Sequence, residues 1–217
     1  MFDTANARRL MVEGQVRTAD VTDGDLLDAM LALPRERFLP PSVADLAYLD
    51  SDIPIAKGRA LLKPMVLAKL IHAARVRRED RVLDVACGTG YSSAVLARLA
   101  GAVIALEEDA DLARQAKEGL AAVGATKVEV VNGPLTAGWP GGAPYDVILL
   151  NGATEITPEG LGSQLKPDGR LVCIYGRSPA SRGMIYHLIE GRLVGRPIFD
   201  AAAQLLPGFV APPAFVF

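Results

Sequence analysis

A glycine-rich turn and a downstream carboxylate are the residues of this chain with the clearest chemical potential. The turn runs from Asp84 to Tyr91 (DVACGTGY), between a short β-rich run and a helical pattern. Gly88 and Gly90 let the backbone turn tightly and approach a ligand, and the helix N-terminus beyond them favours a negative group. Glu107 follows Gly90 by 17 residues, at the end of the next predicted strand. A carboxylate there accepts hydrogen bonds from both hydroxyls of a ribose, so the pattern predicts a ribose-containing cofactor.

Other cofactor sites are less compatible with these residues. A P-loop needs Gly-Lys-Ser or Gly-Lys-Thr after the glycines, and no such tripeptide follows them. A nicotinamide site has the pattern G-x-G-x-x-G, whose third glycine is Ser93 here, so a nicotinamide-dependent enzyme is kept as an alternative. The cysteines, Cys87 and Cys173, and the histidines, His72 and His187, lack the spacing of metal ligands, so we expect no metal.

Five strand-like runs that alternate with helical patterns must position the turn and the carboxylate. This alternation predicts an α/β fold with a Rossmann-like, doubly wound, mostly parallel sheet. Runs at 184–189 and 193–199 predict a C-terminal antiparallel hairpin, and residues 215–217 could add a last short strand. The predicted strands are 81–86, 103–106, 128–131, 146–150 and 169–175, and the predicted helices are 92–99, 111–123 and 158–165.

The first part of the chain has helical rather than alternating patterning. Apolar periodicity predicts helices over 5–16, 25–32 and 65–74. We therefore expect residues 1–75 to form an N-terminal helical extension that packs on the core and covers the site. Residues 76–217 would form the cofactor-binding core.

The composition narrows the classes of function. Half of the 217 residues are apolar and 22% are charged, which supports a sizeable core. A net charge of −2 lacks the positive surface of a dedicated nucleic-acid or acidic-membrane binder. The charged first residues do not resemble a signal peptide, and no apolar run reaches membrane-spanning length, so we expect a cytoplasmic protein without a membrane partner.

The glycine turn resembles the motif D-x-A-C-G-T-G of class I S-adenosylmethionine (SAM) methyltransferases. Further segments resemble the protein-L-isoaspartate O-methyltransferase family, in the order of that family's motifs, over roughly residues 9–176. The segments are LPRERFLP at 33–40, AYLD at 47–50, VLDVACGTGYSSAVLA at 82–97, GPLTAGWP at 133–140 and QLKPDGRLV at 164–172. The resemblance implies SAM as cofactor and an activity in protein repair: methylation of the abnormal carboxylate of isoaspartyl residues in damaged proteins.

The resemblance also assigns site residues. The cofactor-binding positions it implies are Asp84, Ala86, Cys87, Gly88, Gly90, Tyr91, Glu107, Pro134, Leu135 and Asn151. The family stretch G-Q-T-I-S-x-P corresponds to residues 58–64, where the threonine is Ala60 and the active-site serine is Leu62. Arg59 and Lys63 flank this altered turn, and either could supply a cation for a carboxylate substrate. The aspartate of the family's G-D-G, which binds the adenine amine, is Pro134.

The expected chemistry needs little from acid–base residues. A carboxylate is already ionised at neutral pH, so methyl transfer to it requires alignment and exclusion of water rather than a general base. The expected partner is a protein or peptide with isoaspartate, or another carboxylate acceptor, and the expected assembly is a monomer or homodimer. A non-catalytic SAM-binding protein of the same fold is the alternative from another class.

Overall fold

The structure is a computed structural model that describes residues 3–212. Its helices are α1 (Thr4–Met11), α2 (Gly24–Ala32), α3 (Pro64–Ala74), α4 (Tyr91–Leu99), α5 (Ala110–Ala122) and α6 (Glu159–Gly162). Its strands are β1 (Ile53–Ala56), β2 (Arg59–Leu61), β3 (Arg81–Val85), β4 (Ala102–Glu107), β5 (Val128–Asn132), β6 (Tyr145–Thr154), β7 (Leu165–Tyr175), β8 (Arg182–Ile189) and β9 (Arg192–Asp200).

A seven-stranded sheet carries the fold, with strand order β5-β4-β3-β6-β7-β8-β9. Strands β3 to β7 run parallel, and β8 and β9 are antiparallel at one edge. The predicted Rossmann-like, mostly parallel sheet with a C-terminal hairpin is therefore confirmed. The strand order reverses at β3, so the segments that leave β3, β4 and β6 meet at one end of the sheet. That end is where open α/β sheets bind ligands.

Alternate side chains of the parallel strands enter two different apolar layers. In β3, Val82 lies in one layer and Leu83 in the other, and Val147 and Ile148 of β6 divide in the same way. The first layer contains the apolar faces of the N-terminal helices. The second layer is covered by α6 and by Leu206 and Phe209, which follow β9. Both faces of the sheet are therefore covered, which explains why its central strands are nearly all apolar.

The N-terminal residues that the structure describes pack in the first layer rather than in a core of their own. Leu26 of α2 and Leu67 of α3 are buried in the same cluster as Val95 of α4 and Leu149 of β6. The division into a 1–75 extension and a 76–217 core stays a prediction. None of the helices among residues 3–212 is long and apolar enough to cross a membrane.

A buried arginine ties the N-terminal segment to the residues around the glycine turn. Arg35 is fully buried, and its guanidinium donates hydrogen bonds to the carbonyl oxygens of Ala47 (2.7 Å) and Leu62 (2.6 Å). The guanidinium carbon lies 4.7 Å from the centre of the Tyr91 ring, within the range of a cation–π interaction. Burial lowers the pKa of Arg35. One side chain therefore fixes the backbone at two places and contacts the first residue of α4.

Two predicted helices are shorter in the structure. The predicted helix over 158–165 is wrong beyond the single turn of α6, because glycines at 160 and 162 disfavour a helix and β7 already begins at Leu165. The predicted helix over 5–16 ends as an α-helix at Met11 and continues as a wider π-type turn to Val16. The strand predicted at 215–217 lies outside the described residues.

The structure also contains a short hairpin that the sequence analysis does not predict. Strands β1 and β2 pair antiparallel and form a two-stranded sheet of their own, called here the β1–β2 hairpin (residues 53–61). Its turn passes through Lys57 and Gly58, where Gly58 has a φ of +70°. Ile53 and Leu61 at its base are buried, whereas Lys57 and Gly58 at its tip are exposed. The hairpin is thus anchored at its base and solvated at its tip.

We expect Arg35→Ala to lower the free energy of unfolding by about 3 kcal/mol or more. The change leaves two buried carbonyl groups without donors and removes the packing against Tyr91. Arg37→Ala, two residues away and exposed, is the matched control and should stay within about 0.5 kcal/mol of wild type. Urea unfolding of the three proteins measures the difference. Equal stabilities of the two variants would contradict this account of Arg35.

Candidate cofactor and active site

The glycine turn lies at the carboxyl end of β3, as predicted, and its backbone is tightly coiled. Ala86, Gly88 and Gly90 have φ values of +62°, +58° and +94°. Gly90 is the residue that precedes the first turn of α4. Because Gly88 and Gly90 adopt a conformation that side chains disfavour, the turn depends on glycine at both places. The N–H groups of Cys87, Gly88 and Gly90 donate within this end of the sheet, to the carbonyl of Leu106, the carboxylate of Glu107 and the carbonyl of Cys87.

Glu107 at the end of β4 lies directly beside this turn. Its carboxylate is fully buried and accepts a hydrogen bond from the Gly88 N–H at 2.8 Å. The N–H groups of Glu108 and Asp109 donate to the other oxygen, at 3.0 and 3.1 Å. The structure therefore brings the two predicted halves of the cofactor site together. Three backbone donors hold one carboxylate against the glycine turn.

A side chain from the β1–β2 hairpin completes the surroundings of Glu107. The Arg59 guanidinium donates to both carboxylate oxygens, at 2.5 and 2.7 Å, and only 5% of the Arg59 side chain is exposed. The neighbouring carboxylate raises the pKa of Arg59, although burial acts in the opposite direction. This bidentate ion pair is the strongest geometry that arginine and a carboxylate can form. In the structure Arg59, which is predicted as a cation for the substrate, is bonded to Glu107, the carboxylate that is predicted to hold the ribose.

The hairpin also covers the glycine turn. A Cβ atom placed on Gly88 would lie 2.7 Å from Cδ1 of Ile55 in β1. The space that glycine leaves open for close approach of a ligand is therefore filled by the hairpin. The residues at this end of the sheet fit SAM in their chemistry, since a carboxylate that can accept from ribose hydroxyls lies beside a glycine turn and a helix N-terminus. In the structure the hairpin itself occupies the space next to Gly88 and Glu107.

A buried polar network lies beneath the glycine turn. Oδ2 of Asp84 accepts hydrogen bonds from the hydroxyls of Ser92 and Ser93, both at 2.6 Å, and the amide of Asn151 donates to Ser92 Oγ at 2.6 Å. The other oxygen, Oδ1 of Asp84, is buried without a hydrogen-bond partner among the described residues. Burial raises the pKa of Asp84 to about 7, although the two hydroxyls act in the opposite direction. Asp84 and Asn151 thus support the turn from below.

The remaining cofactor positions implied by the resemblance differ in exposure. Cys87 and Tyr91 are buried, and burial raises the pKa of both side chains, so neither is an available nucleophile. Leu135 is buried in the second apolar layer and Pro134 is exposed after the end of β5. The Asn132 amide donates to the backbone carbonyls of Glu107 and its neighbour. Which of these residues contact a cofactor stays a prediction.

The altered turn before α3 is embedded in the fold. The Leu62 side chain is 2% exposed and lies in the first apolar layer, and its carbonyl is held by Arg35. Lys63 is half-buried, and its backbone N–H donates to the carboxylate of Asp52 at 2.8 Å. The structure therefore brings Arg59 to the glycine turn but places the Leu62 side chain in the core. A direct role of Leu62 toward a substrate is not supported by this position.

One sequence signal could have indicated the position of Arg59. The family stretch quoted above has glutamine where this chain has Arg59. Residues 1–75 are expected to cover the site, so an arginine in place of this glutamine suggests an ion pair with the buried carboxylate of the site, Glu107. The pairing joins residues 48 positions apart, which no local pattern reports.

The opposite end of the sheet has a cleft with a different character. A cavity of about 520 Å³ is lined by residues that include His72, Asp80, Asp146, Arg170 and His187. Asp80 directly precedes β3 and Asp146 lies at the amino end of β6, so this cleft is away from the glycine turn. Arg170 donates to Asp80 at 2.6 Å and closes part of this cleft. Among residues 3–212, no group of three or more His, Cys, Asp or Glu side chains could hold a metal ion.

We expect Asp84 to lower the free energy of unfolding as pH rises from about 4 to about 7. In this window the folded protein keeps a proton on Asp84 that the unfolded chain has released, since the pKa of Asp84 rises from 3.8 to about 7 on folding. The full effect is on the order of 4 kcal/mol.

Asp84→Asn should remove this part of the pH dependence, whereas Asp28→Asn, at an exposed site, should keep it. Urea unfolding at several pH values measures both. An unchanged profile in Asp84→Asn would show that Asp84 is ionised in the folded state.

The comparisons with known proteins agree with the resemblance seen in the motifs. The family model described as Protein-L-isoaspartate(D-aspartate) O-methyltransferase (PCMT) matches residues 6–184. A protein-L-isoaspartate O-methyltransferase of Methylorubrum extorquens (strain PA1) is 45% identical over 174 residues, which are 80% of this chain and 76% of the relative. Protein-L-isoaspartate O-methyltransferase 1 of Rhodopseudomonas palustris (strain HaA2) is 39% identical over 181 residues, 83% of this chain and 74% of the relative.

Solved structures show the same fold. A protein-L-isoaspartate O-methyltransferase superposes with a TM-score of 0.80 and 23% identity, and the match covers 93% of this chain and 66% of the other. A Plasmodium falciparum protein described as a β-aspartate methyltransferase, in complex with S-adenosyl-L-homocysteine, has a TM-score of 0.78 and 18% identity, with 92% and 97% covered. The fold and family predictions are therefore confirmed. By its family match and its relatives, the chain belongs to the protein-L-isoaspartate O-methyltransferase family of SAM-dependent methyltransferases.

Proposed function

We propose that this chain transfers a methyl group from SAM to the carboxylate of isoaspartyl residues in proteins. The observation that carries the proposal is the buried carboxylate of Glu107, held beside the Gly88 N–H at the carboxyl ends of β4 and β3. Membership of the family supports the same reaction. The relatives share one enzyme name, which does not favour the alternatives of a non-catalytic SAM-binding protein or a nicotinamide-dependent enzyme.

Glu107 would hold the ribose hydroxyls, and the glycine turn would lie against the rest of the cofactor. The adenine would lie near Pro134 and Leu135, which follow β5, the strand next to β4. The Asn132 amide nitrogen donates to two backbone carbonyls, which leaves only its Oδ1 as an acceptor for the adenine amine, and Pro134 offers no carboxylate there. The site would therefore recognise the ribose more strongly than the base.

When bound, SAM supplies a methyl group on a sulfonium sulfur: an acceptor oxygen bonds to the methyl carbon, the C–S electron pair stays on sulfur, and no proton moves. The residues of this chain contribute alignment and the exclusion of water. Both histidines line the cleft at the other end of the sheet, so they are not placed to act as a base here. A carboxylate acceptor needs none.

An anionic acceptor also needs a cation near the reacting oxygen. Lys63 is one candidate, since it is half-buried at the start of α3 and its ammonium is in no salt bridge among the described residues. Arg59 is bonded to Glu107 in this arrangement. The cytoplasmic location, the absence of nucleic-acid partners and the monomeric or homodimeric state stay predictions.

The proposed function is tested with two peptides that differ only in one linkage, isoaspartate or normal aspartate. We expect radiolabel from SAM to enter the isoaspartyl peptide as a base-labile methyl ester and not to enter the control peptide, because only the first presents the abnormal carboxylate. Equal labelling of both peptides would mean that the acceptor is a different carboxylate. Absence of label in both, with SAM bound, would favour a non-catalytic SAM-binding protein.

Glu107→Ala should weaken SAM binding by about 10- to 100-fold, because hydrogen bonds to a charged acceptor are worth about 1.5–3 kcal/mol. Glu108→Ala removes an exposed carboxylate from the next residue and should leave the affinity unchanged. Calorimetric titration measures both, with circular dichroism as the check of folding. Wild-type affinity in folded Glu107→Ala would remove Glu107 from the ribose site.

A further inference from the structure

The β1–β2 hairpin and the proposed cofactor use the same surface. Arg59 donates one N–H to each oxygen of Glu107, and Ile55 fills the space in front of Gly88. The proposed function assigns those two oxygens to the ribose hydroxyls and that space to the cofactor. Both occupants cannot be present together.

The hydrogen bonds of Glu107 show how complete this occupation is. One oxygen accepts from Arg59, Glu108 N and Asp109 N, and the other from Arg59 and Gly88 N. The carboxylate therefore has five donors and no exposed surface. A ribose hydroxyl can bond to Glu107 only in place of a donor, and the backbone donors belong to the rigid end of the sheet. Arg59 is the donor that can leave.

We infer that Arg59 is an internal competitor of the cofactor: SAM binds after Arg59 has left Glu107 and the tip of the β1–β2 hairpin has moved off the glycine turn. This inference rests on the proposed function. It makes Arg59 a residue that sets the affinity for SAM rather than one that contacts the reacting atoms. The ion pair holds the hairpin in a closed state, and this pair must break before the cofactor can bind.

The hairpin is built in a way that permits such a movement. It is a two-stranded sheet outside the main sheet, and isolated hairpins are marginally stable. Ile53 and Leu61 anchor its base in the core, whereas Lys57 and Gly58 at its tip are exposed. Rotation of the tip about this base would expose Glu107 and return the Arg59 guanidinium to water. The anchored base would stay in place.

The affinity for SAM of Arg59→Gln tests the inference. Glutamine can still donate to Glu107 from its one amide nitrogen but lacks the charge and the second donor nitrogen of the guanidinium, so we expect SAM to bind about tenfold more tightly than to wild type, or better. Lys57→Gln makes the same change in charge at the exposed hairpin tip and should bind SAM like wild type. Calorimetric titration gives the dissociation constants, and thermal unfolding verifies that each variant is folded.

A second variant keeps the test valid if Arg59→Gln does not fold. Ile55→Ala leaves the ion pair intact and removes the contact with Gly88, so it should raise the affinity for SAM about threefold or more. An affinity equal to or weaker than wild type in a folded variant would overturn the inference while the proposed function stands. If wild type and both variants all fail to bind SAM at millimolar concentration, the proposed function falls, and the inference falls with it.

Discussion

The arrangement around the glycine turn depends on the burial of a single carboxylate, Glu107. A carboxylate without solvent must have charge compensation and several donors, otherwise it takes up a proton or the structure opens. Backbone N–H groups from Gly88, Glu108 and Asp109 provide three donors, and Arg59 provides two more with the opposite charge. The end of β4, the glycine turn and the β1–β2 hairpin are therefore held in one cluster by the need to stabilise one charge.

A second buried acid, Asp84, lies next to this cluster, and its carboxyl group is stabilised in a different way. Among residues 3–212 no cation pairs with Asp84; one of its oxygens accepts from two serine hydroxyls and the other has no partner there, and burial raises its pKa to about 7. Two buried carboxylates close to each other would repel if both were ionised. Arginine at one and a raised pKa at the other limit this repulsion, so the two acids can lie beneath one turn.

The sequence predicts the parts of this site that depend on local patterns. Apolar runs identify the parallel strands, and the glycines with Glu107 identify the end of the sheet where they meet. The β1–β2 hairpin escapes prediction because its strands have four and three residues and one contains Pro54. The bond from Arg59 to Glu107 escapes it because the partners belong to different supersecondary units. The short helix α6 shows the opposite error, since apolar spacing predicts a helix that its glycines do not sustain.

The residues at which this chain departs from the family stretch all stabilise the segment in which they lie. At the start of β2, Arg59 neutralises Glu107; after its end, Leu62 fills the apolar layer while Arg35 binds its carbonyl. Alkyl groups at Ala60 and Leu62 require no hydrogen bonds, so the segment is stabilised by one ion pair and by packing. A serine at the buried position of Leu62 would need a partner for its hydroxyl. The segment therefore forms a stable cover over the glycine turn. A reaction with a substrate at this end of the sheet depends on the opening of that cover.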